Sequence, residues 1–302
     1  MLETLADPIV PIFAILAIGV ACGWRGWFDA DFARTLNRFV FFIAQPALVF
    51  FIVARAPFAA FDYRALGLYL LSEIAVYALG YWVTRRFFGR DRREALLLGM
   101  TCAFVNHVFY VLPIAERIYG EEAASLIAGI IIVDVALLFC GTILILDVMK
   151  AGSASPLRVA GMMGRNPAFL AILAGLAANL AEPLSPQGLF TFAEFVGSAA
   201  PPASLFALGI IIAGADFRRP GGATFSVVGI KVLVHPLLLF AMIAVGEIDV
   251  DKADVAMLVA AGPCGAMPFV IALQYGVRTD TIARAILISS VLTLFSLAWL
   301  TA

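Results

Sequence analysis

The sequence predicts an all-α polytopic membrane protein whose ten transmembrane helices form two inverted five-helix repeats, with helices 4 and 9 broken. Three observations lead there. Hydrophobic residues make up 63% and charged residues 14% of the 302-residue chain, and the mean hydropathy is +1.01. A soluble domain carries about 45–50% apolar and about 25% charged residues, so this chain cannot cover a water-facing surface. Long apolar runs recur between short polar breaks, and residues of the first half return in the second at near-constant spacing.

A hydrocarbon core about 30 Å thick takes about 20 apolar residues per helix. On that measure spans fall at about 8–22, 33–55, 63–87, 95–119, 122–148, 167–180, 188–215, 222–246, 254–276 and 280–301. The first and sixth are short. The segment Met1–Pro8 has two acids and no Lys or Arg, unlike the basic start of a cleaved signal peptide. The net charge of -1 offers no footprint for nucleic acid. Cys22, Cys102, Cys140 and Cys264 lie in or beside apolar runs without a CxxC pair, and read as small buried hydrophobes.

Basic residues set the orientation. Arg25, Arg34, Arg38, the cluster Arg85–Arg93, Lys150, Arg158, Arg165, Arg218, Arg219, Arg278 and Arg284 fall on one side of the ten-span plan. Only Arg55, Arg64, Arg117 and Lys252 fall on the other. Cytoplasmic loops hold the excess of Lys and Arg, which places both termini outside, in what is expected to be a bacterial inner membrane. The Arg85–Arg93 cluster reads as a topology determinant that also meets anionic lipid.

Phe13 and Gly19 recur as Phe169 and Gly175, Gln45–Phe50 faces Pro201–Phe206, Pro113 answers Pro268, and Tyr119-Gly120 answers Tyr275-Gly276, at offsets of 155 or 156 residues. Five spans per half is an odd number, so the halves enter the membrane in opposite directions, the plan of many secondary transporters. The repeats are 1–149 and 167–302, joined by a cytoplasmic linker at 150–166 that contains Lys150, Gly152, Ser153, Ser155 and Pro156.

In that plan the substrate lies near the midplane, at interrupted helices. Span 4 reads Asn106-His107-Val108-Phe109-Tyr110-Val111-Leu112-Pro113, and span 9 reads Gly262-Pro263-Cys264-Gly265-Ala266-Met267-Pro268. Proline removes an N–H and clashes with the carbonyl four residues back, yet it suits the first turn of a helix. The second half-helices are therefore expected to begin near Pro113 and Pro268. Their N-termini carry free N–H groups and about half a positive charge each, which favours an anion such as a carboxylate. The alternative is an ordinary pair of kinks whose freed groups are satisfied by neighbouring helices.

A charge at mid-bilayer costs about 2.5–3.5 kcal/mol on insertion scales. Glu73 and Lys231 lie at comparable depths in spans 3 and 8, so a Glu73–Lys231 pair is expected, either as a structural ion pair or as a coupling carboxylate with its switching partner. Asp134 in mid-span 5 has no evident sequence partner, and a lone buried carboxylate can exchange a proton near neutral pH. Asp147, near the cytoplasmic end of span 5, is expected to be solvated. His107 reads either as a titrating group or as a packed, hydrogen-bonded residue. His235, one turn after Lys231, is expected on the same polar seam. Gln45 beside Pro46 reads as a substrate contact or as part of a kink. Two histidines without close carboxylate spacing do not make a metal site. No GxSxG, HExxH, Walker loop or GxGxxG is present, so neither an enzyme, a primary pump nor a cofactor is expected.

At these residues the sequence resembles the auxin efflux carrier family, which includes plant PIN carriers and bacterial permeases for malate or malonate. Leu36-Asn37-Arg38-Phe39-Val40 with Pro46 is similar to the family's span 2. Asn106 with Pro113 and Tyr119-Gly120 is similar to its span 4, and Arg165-Asn166-Pro167 to its span 6. Phe206-Ala207-Leu208-Gly209 resembles span 7, and Lys231 with Pro236 keeps a spacing of span 8. The most specific string is Pro263-x-Gly265-x-x-Pro268-Phe269-Val270-x-Ala272-x-x-Tyr275 of span 9.

The resemblance implies a scaffold from 8–56 and 167–216, a mobile transport domain from 62–149 and 222–302, crossover helices 4 and 9, elevator-like movement and a homodimer. It makes Asn106 and the backbone around Pro113, Gly265 and Pro268 the substrate cradle; His107, Pro263, Cys264 and Gln45 complete the candidate substrate-binding set. The span-3 Asp and Lys of plant members are Tyr69 and Glu73 here, and the long plant loop is reduced to the linker. The expected function is secondary transport of a small organic anion such as a mono- or dicarboxylate, with H+ or Na+ as candidate coupling ion. The rivals are a sodium/proton antiporter of related fold and a membrane sensor that binds an anion without moving it.

Overall fold

The structure, a computed structural model, describes residues 2–107, 111–119, 122–152, 155–181, 186–214, 221–246 and 250–300. Of the positions singled out above, Val108, Phe109, Tyr110, Gly120, Ser153, Arg218 and Arg219 lie outside the described residues. The described residues are helical apart from turns and short breaks, and among them the only extended pairing is one isolated bridge.

The helices are α1 (Leu2–Trp24), α2 (Ala30–Ala54), α3 (Tyr63–Phe88), α4 (Arg92–Ala103), α5 (Leu112–Tyr119), α6 (122–151), α7 (Pro156–Met163), α8 (Pro167–Leu180) and α9 (Gln187–Gly214). They are followed by α10 (Gly222–Gly246), α11 (Val250–Ala260), α12 (Met267–Tyr275) and α13 (Asp280–Leu300). Five described helices are long and apolar enough to cross a membrane: α2, α3, α6 from Leu126, α9 and α10. Shorter apolar helices are Phe13–Trp24 and α8. Many large apolar side chains point outward, Leu180 at 87% and Phe195 at 79% exposure among them. In an aqueous protein that much exposed apolar surface signals a partner; here hydrocarbon is the natural one.

Local chemistry sets the helix ends. Asp62, Asp91 and Asn166 each accept two backbone N–H bonds at the starts of α3, α4 and α8, at 2.8–3.2 Å, satisfying donors that a first turn leaves free. Pro167 fits the first turn of α8 because it has no N–H to satisfy. The linker contains a short helix, α7, opened by Pro156. Asp147, expected to be solvated, is half-buried at the edge of a wide chamber and accepts a 2.8 Å bond from the Tyr275 hydroxyl.

Lipid tails are as apolar as leucine, so helices in a membrane associate where small residues let backbones approach. A Cβ on Gly209 would lie 2.3 Å from the Leu16 carbonyl oxygen, so α1 and α9 touch main chain to main chain. Gly175 brings α8 against Val53 and Phe50 of α2, and Gly99 brings α4 against Tyr77 of α3. Two packed groups result, α1, α2, α8 and α9 in one, with α3 and α4 in the other beside α10 and α13.

Short π-helical segments at Val40–Ala44, Asp134–Phe139 and Ile230–Val234 loosen three of the described helices. The first and third precede Gln45-Pro46 and His235-Pro236, where proline removes a ladder hydrogen bond. Such bulges often mark functional positions, and Gln45, Asp134, Lys231 and His235 all sit in or just after them.

Candidate functional site

Two helical paths are interrupted where the sequence places prolines. After α4 ends at Ala103, residues 104–106 are not helical, and α5 begins at Leu112 with Pro113 second. After α11 ends at Ala260, residues 261–266 are not helical, and α12 begins at Met267 with Pro268 second. Both second half-helices thus start one residue before the expected proline.

The two interruptions pair with each other. Val105 and Cys264 form an antiparallel bridge. The Asn106 N–H donates to the Pro263 carbonyl at 3.1 Å and the Gly265 N–H to the Phe104 carbonyl at 2.8 Å. The Cys264 N–H donates to Ser289 Oγ of α13 at 3.1 Å. Backbone groups released from the helices are thereby satisfied inside the protein, as hydrocarbon requires. A Cβ on Gly265 would meet the Val105 carbonyl oxygen at 2.7 Å, so only glycine permits this approach.

Lys231 closes the arrangement from behind. Its Nζ donates to the Ala103 and Ala260 carbonyls, both at 3.3 Å, and lies 2.9 Å from His235 Nδ1. Ala103 and Ala260 are the last residues of α4 and α11. One fully buried ammonium therefore meets the partly negative C-terminal ends of two half-helices. The expected Glu73–Lys231 ion pair is not formed among the described residues: the lysine is spent on carbonyls exposed by the breaks, which sequence depth alone could not reveal. His235 does share its seam, and its Nε2 lies 3.3 Å from Ser72 Oγ.

Glu73 instead lies with His107 and Asp134, each offering an atom within 4.8 Å of the others and all three buried. His107 Nε2 is 3.0 Å from Asp134 Oδ2, off the line of a hydrogen bond. Asp134, expected to stand alone, has an imidazole neighbour. These three are close enough to share a cation. Spacing along the chain does not show this grouping, because the cluster joins α3, the first break and α6.

In front of the paired breaks is a cavity. Gln45, Leu48, Val49 and Ile52 of α2 and Pro201, Ser204 and Leu205 of α9 form one wall; Phe104, Val105, Asn106, His107, Ala266 and Met267 form the facing one, with Ile131 and Val135 of α6 beside it. About 60 Å³ is open to the centres of water molecules, against about 10–15 Å³ for one water. Gln45 is 3% exposed with its Oε1 unpartnered. The structure thus gathers Gln45, Asn106 and His107 with Ala266 and Met267, which follow Gly265, around one space. Pro263 and Cys264 serve the backbone pairing, and Cys264 is fully buried. Ser204 was not singled out as a site residue, although it lies in Pro201–Phe206, the repeat partner of the segment that begins with Gln45, and that pairing could have marked it. A wider chamber of about 760 Å³, bordered by Arg93, Asp147, Lys150, Arg165, Asn166 and Tyr275, lies at the helix ends rich in basic residues.

Apolar, lipid-suited helices surround an internal cavity whose wall is apolar apart from Gln45, Asn106, His107 and Ser204, the make-up of an integral membrane protein. The chain belongs to the family described as "Membrane transport protein", whose model matches residues 4–160 and 162–301, the auxin efflux carrier family of the sequence motifs. It is 26% identical to a Rhizobium meliloti protein named "Putative malonate transporter", over 94% of this chain and 91% of the relative. It is 22% identical to the Escherichia coli "Uncharacterized transporter YfdV", over 96% and 94%. It is 24% identical to the rice "Probable auxin efflux carrier component 5a", over 94% and 92%. The chain is a transporter and not an enzyme.

Proposed function

We propose that this protein is a secondary transporter of a small organic anion, a mono- or dicarboxylate, bound in the cavity before the paired breaks of span 4 and span 9. The carrying observation is the cavity's position, with α2 and α9 on one side and both breaks on the other. A substrate held there touches both packed groups, so sliding one group past the other would expose it alternately to each side. This supports an elevator-like movement, with 8–56 and 167–216 as scaffold and 62–149 and 222–302 as transport domain.

The match between the break positions and the 155-residue offset of Pro113 and Pro268 supports ten spans in two inverted repeats, joined at 150–166. The N-terminus of α12, at Ala266 and Met267, reaches the cavity wall and supplies partial positive charge to a carboxylate. The basic chamber supports an inward vestibule that concentrates anions, with both termini outside a bacterial inner membrane. The printed name of the R. meliloti relative makes malonate the first candidate substrate. H+ or Na+ would be the coupling ion, Glu73 and Asp134 its nearest carboxylates, and Lys231 and His235 structural neighbours. A homodimer in contact with anionic lipid is the expected assembly.

A second reading, sodium/proton antiport, is favoured by the buried Glu73 and Asp134. Purified protein in liposomes decides between them with labelled malonate, malate and indole-acetate, with and without proton and sodium gradients. Saturable uptake of one acid is expected. Gradient-driven ion exchange without organic flux would establish the antiporter, and binding without flux a sensor.

A further inference from the structure

We propose that Glu73, His107 and Asp134 together bind one divalent transition-metal ion, Zn2+ or Mn2+, in the interior of the helix bundle. The inference goes beyond the transport reading, because it concerns an ion that resides in the protein whatever substrate is carried. Its first ground is charge. Glu73 and Asp134 are both fully buried and bring carboxylate oxygens within 4.8 Å of each other. An ionised carboxylate is costly to bury without a counter-charge, and a second one beside it adds repulsion. The Lys231 ammonium does not relieve them. It is spent on the Ala103 and Ala260 carbonyls and on His235, where two helix C-termini of about half a negative charge each balance it.

The second ground is independent of charge: the lone pairs gathered here have no donors. Both oxygens of Glu73, both of Asp134 and His107 Nε2 are buried without a hydrogen-bond partner among the described residues. The Tyr69 hydroxyl, fully buried and close to Glu73, has none either. His107 is 4% exposed, and its Nε2 stands 3.0 Å from Asp134 Oδ2 without pointing along a hydrogen bond to it. Two ligand atoms about 2.0–2.2 Å from a shared ion, at right angles, stand about 3 Å apart. The spacing is therefore that of two atoms aimed at a third.

The donor set selects the ion. Two carboxylates are neutralised by two positive charges, whereas Na+ would leave one negative charge buried. Imidazole nitrogen suits Zn2+ and its first-row neighbours, while Mg2+ and Ca2+ prefer oxygen alone. Three protein ligands leave a position for water. The route in is the cavity, about 60 Å³ of which is open to the centres of water molecules and whose wall includes His107. Once bound, the ion ties the first break to α3 and α6 and fixes the ring that forms part of that wall.

The test uses the full chain in lipid nanodiscs, stripped with EDTA and dialysed against ZnCl2 or MnCl2, with bound metal counted by mass spectrometry. Wild type should retain one ion per chain, and its unfolding temperature should rise on reloading but not with Mg2+ or Na+. E73Q and D134N keep the shape of the site and remove one ligand charge each. Both should bind the ion at least about tenfold more weakly. Relieved of repulsion, both should unfold in EDTA no lower than stripped wild type, which separates loss of the ion from loss of the fold. Co2+ in place of Zn2+ should give visible absorption that H107F loses, whereas D147N at the wider chamber should keep the ion. Metal retained undiminished by the double variant E73Q/D134N lies elsewhere and overturns the proposal. No retained metal, with unfolding unaffected by EDTA, gives the carboxyl pair a shared proton instead and overturns it; stabilisation by Na+ alone does so too. None of these readouts uses a transported anion, so failure of malonate, malate and indole-acetate to bind would sink the transport reading without touching this one.

Discussion

Gly265 donates its backbone N–H to the carbonyl of Phe104 at 2.8 Å, across 161 positions of chain and between two interrupted helices. This bond and its companion from Asn106 to Pro263 make the interruptions a single unit. The unit's outer face is the cavity wall, and its inner side is held by Lys231.

Gly265→Leu is therefore expected to separate the strands of that unit, since even a methyl would lie 2.7 Å from the Val105 carbonyl oxygen. Overpacking of this kind costs about 1–3 kcal/mol. Substrate uptake in liposomes should be abolished while the purified protein stays helical by circular dichroism, with a lowered unfolding temperature. Unchanged uptake would remove the paired breaks from the substrate path.

Asn106→Ala separates the side chain from the backbone role. The N–H that pairs with Pro263 is retained, so folding should be nearly unaffected, whereas loss of the amide should abolish uptake. Equal flux in wild type and variant would show that the amide does not touch substrate.

Gln45 buries an amide whose oxygen is unpartnered. Apolar replacement of such a group is neutral or stabilising. Gln45→Leu should hold or raise the unfolding temperature and raise KM for the transported acid. A lowered unfolding temperature with unchanged KM would make Gln45 a helix-kink residue only.

Lys231→Met leaves the Ala103 and Ala260 carbonyls without their shared donor. Buried groups left unsatisfied cost about 1–3 kcal/mol each, so the variant should unfold at clearly lower temperature in thermal melts. Stability equal to wild type would mean that other donors reach these carbonyls.

Glu73→Gln removes a carboxyl group from the buried cluster with His107 and Asp134. Uptake measured across pH should lose its pH dependence if Glu73 helps hold the coupled proton; a profile identical to wild type would exclude it.

Composition and proline placement determined by themselves that this chain is a helical membrane protein and where its helices break. The reason is local. Hydrocarbon demands apolar side chains and internally satisfied backbone, and Pro268 ends or opens a helix whatever surrounds it. The motif from Pro263 to Tyr275 was sufficient to indicate the family.

Partner choice among buried polar groups was decided only by the tertiary structure. Equal depth suggested Glu73 for Lys231, yet the lysine goes to the carbonyl ends of α4 and α11, because the breaks expose acceptors that no periodicity in the sequence encodes. Glu73, His107 and Asp134 meet because three separate elements pack at one point, and Ser204 reaches the cavity for the same reason. Where a helix starts or stops is written in a few neighbouring residues; which charges meet in a dry interior depends on how whole helices approach, and that approach is set by small residues such as Gly175 and Gly209, far from the charges they bring together.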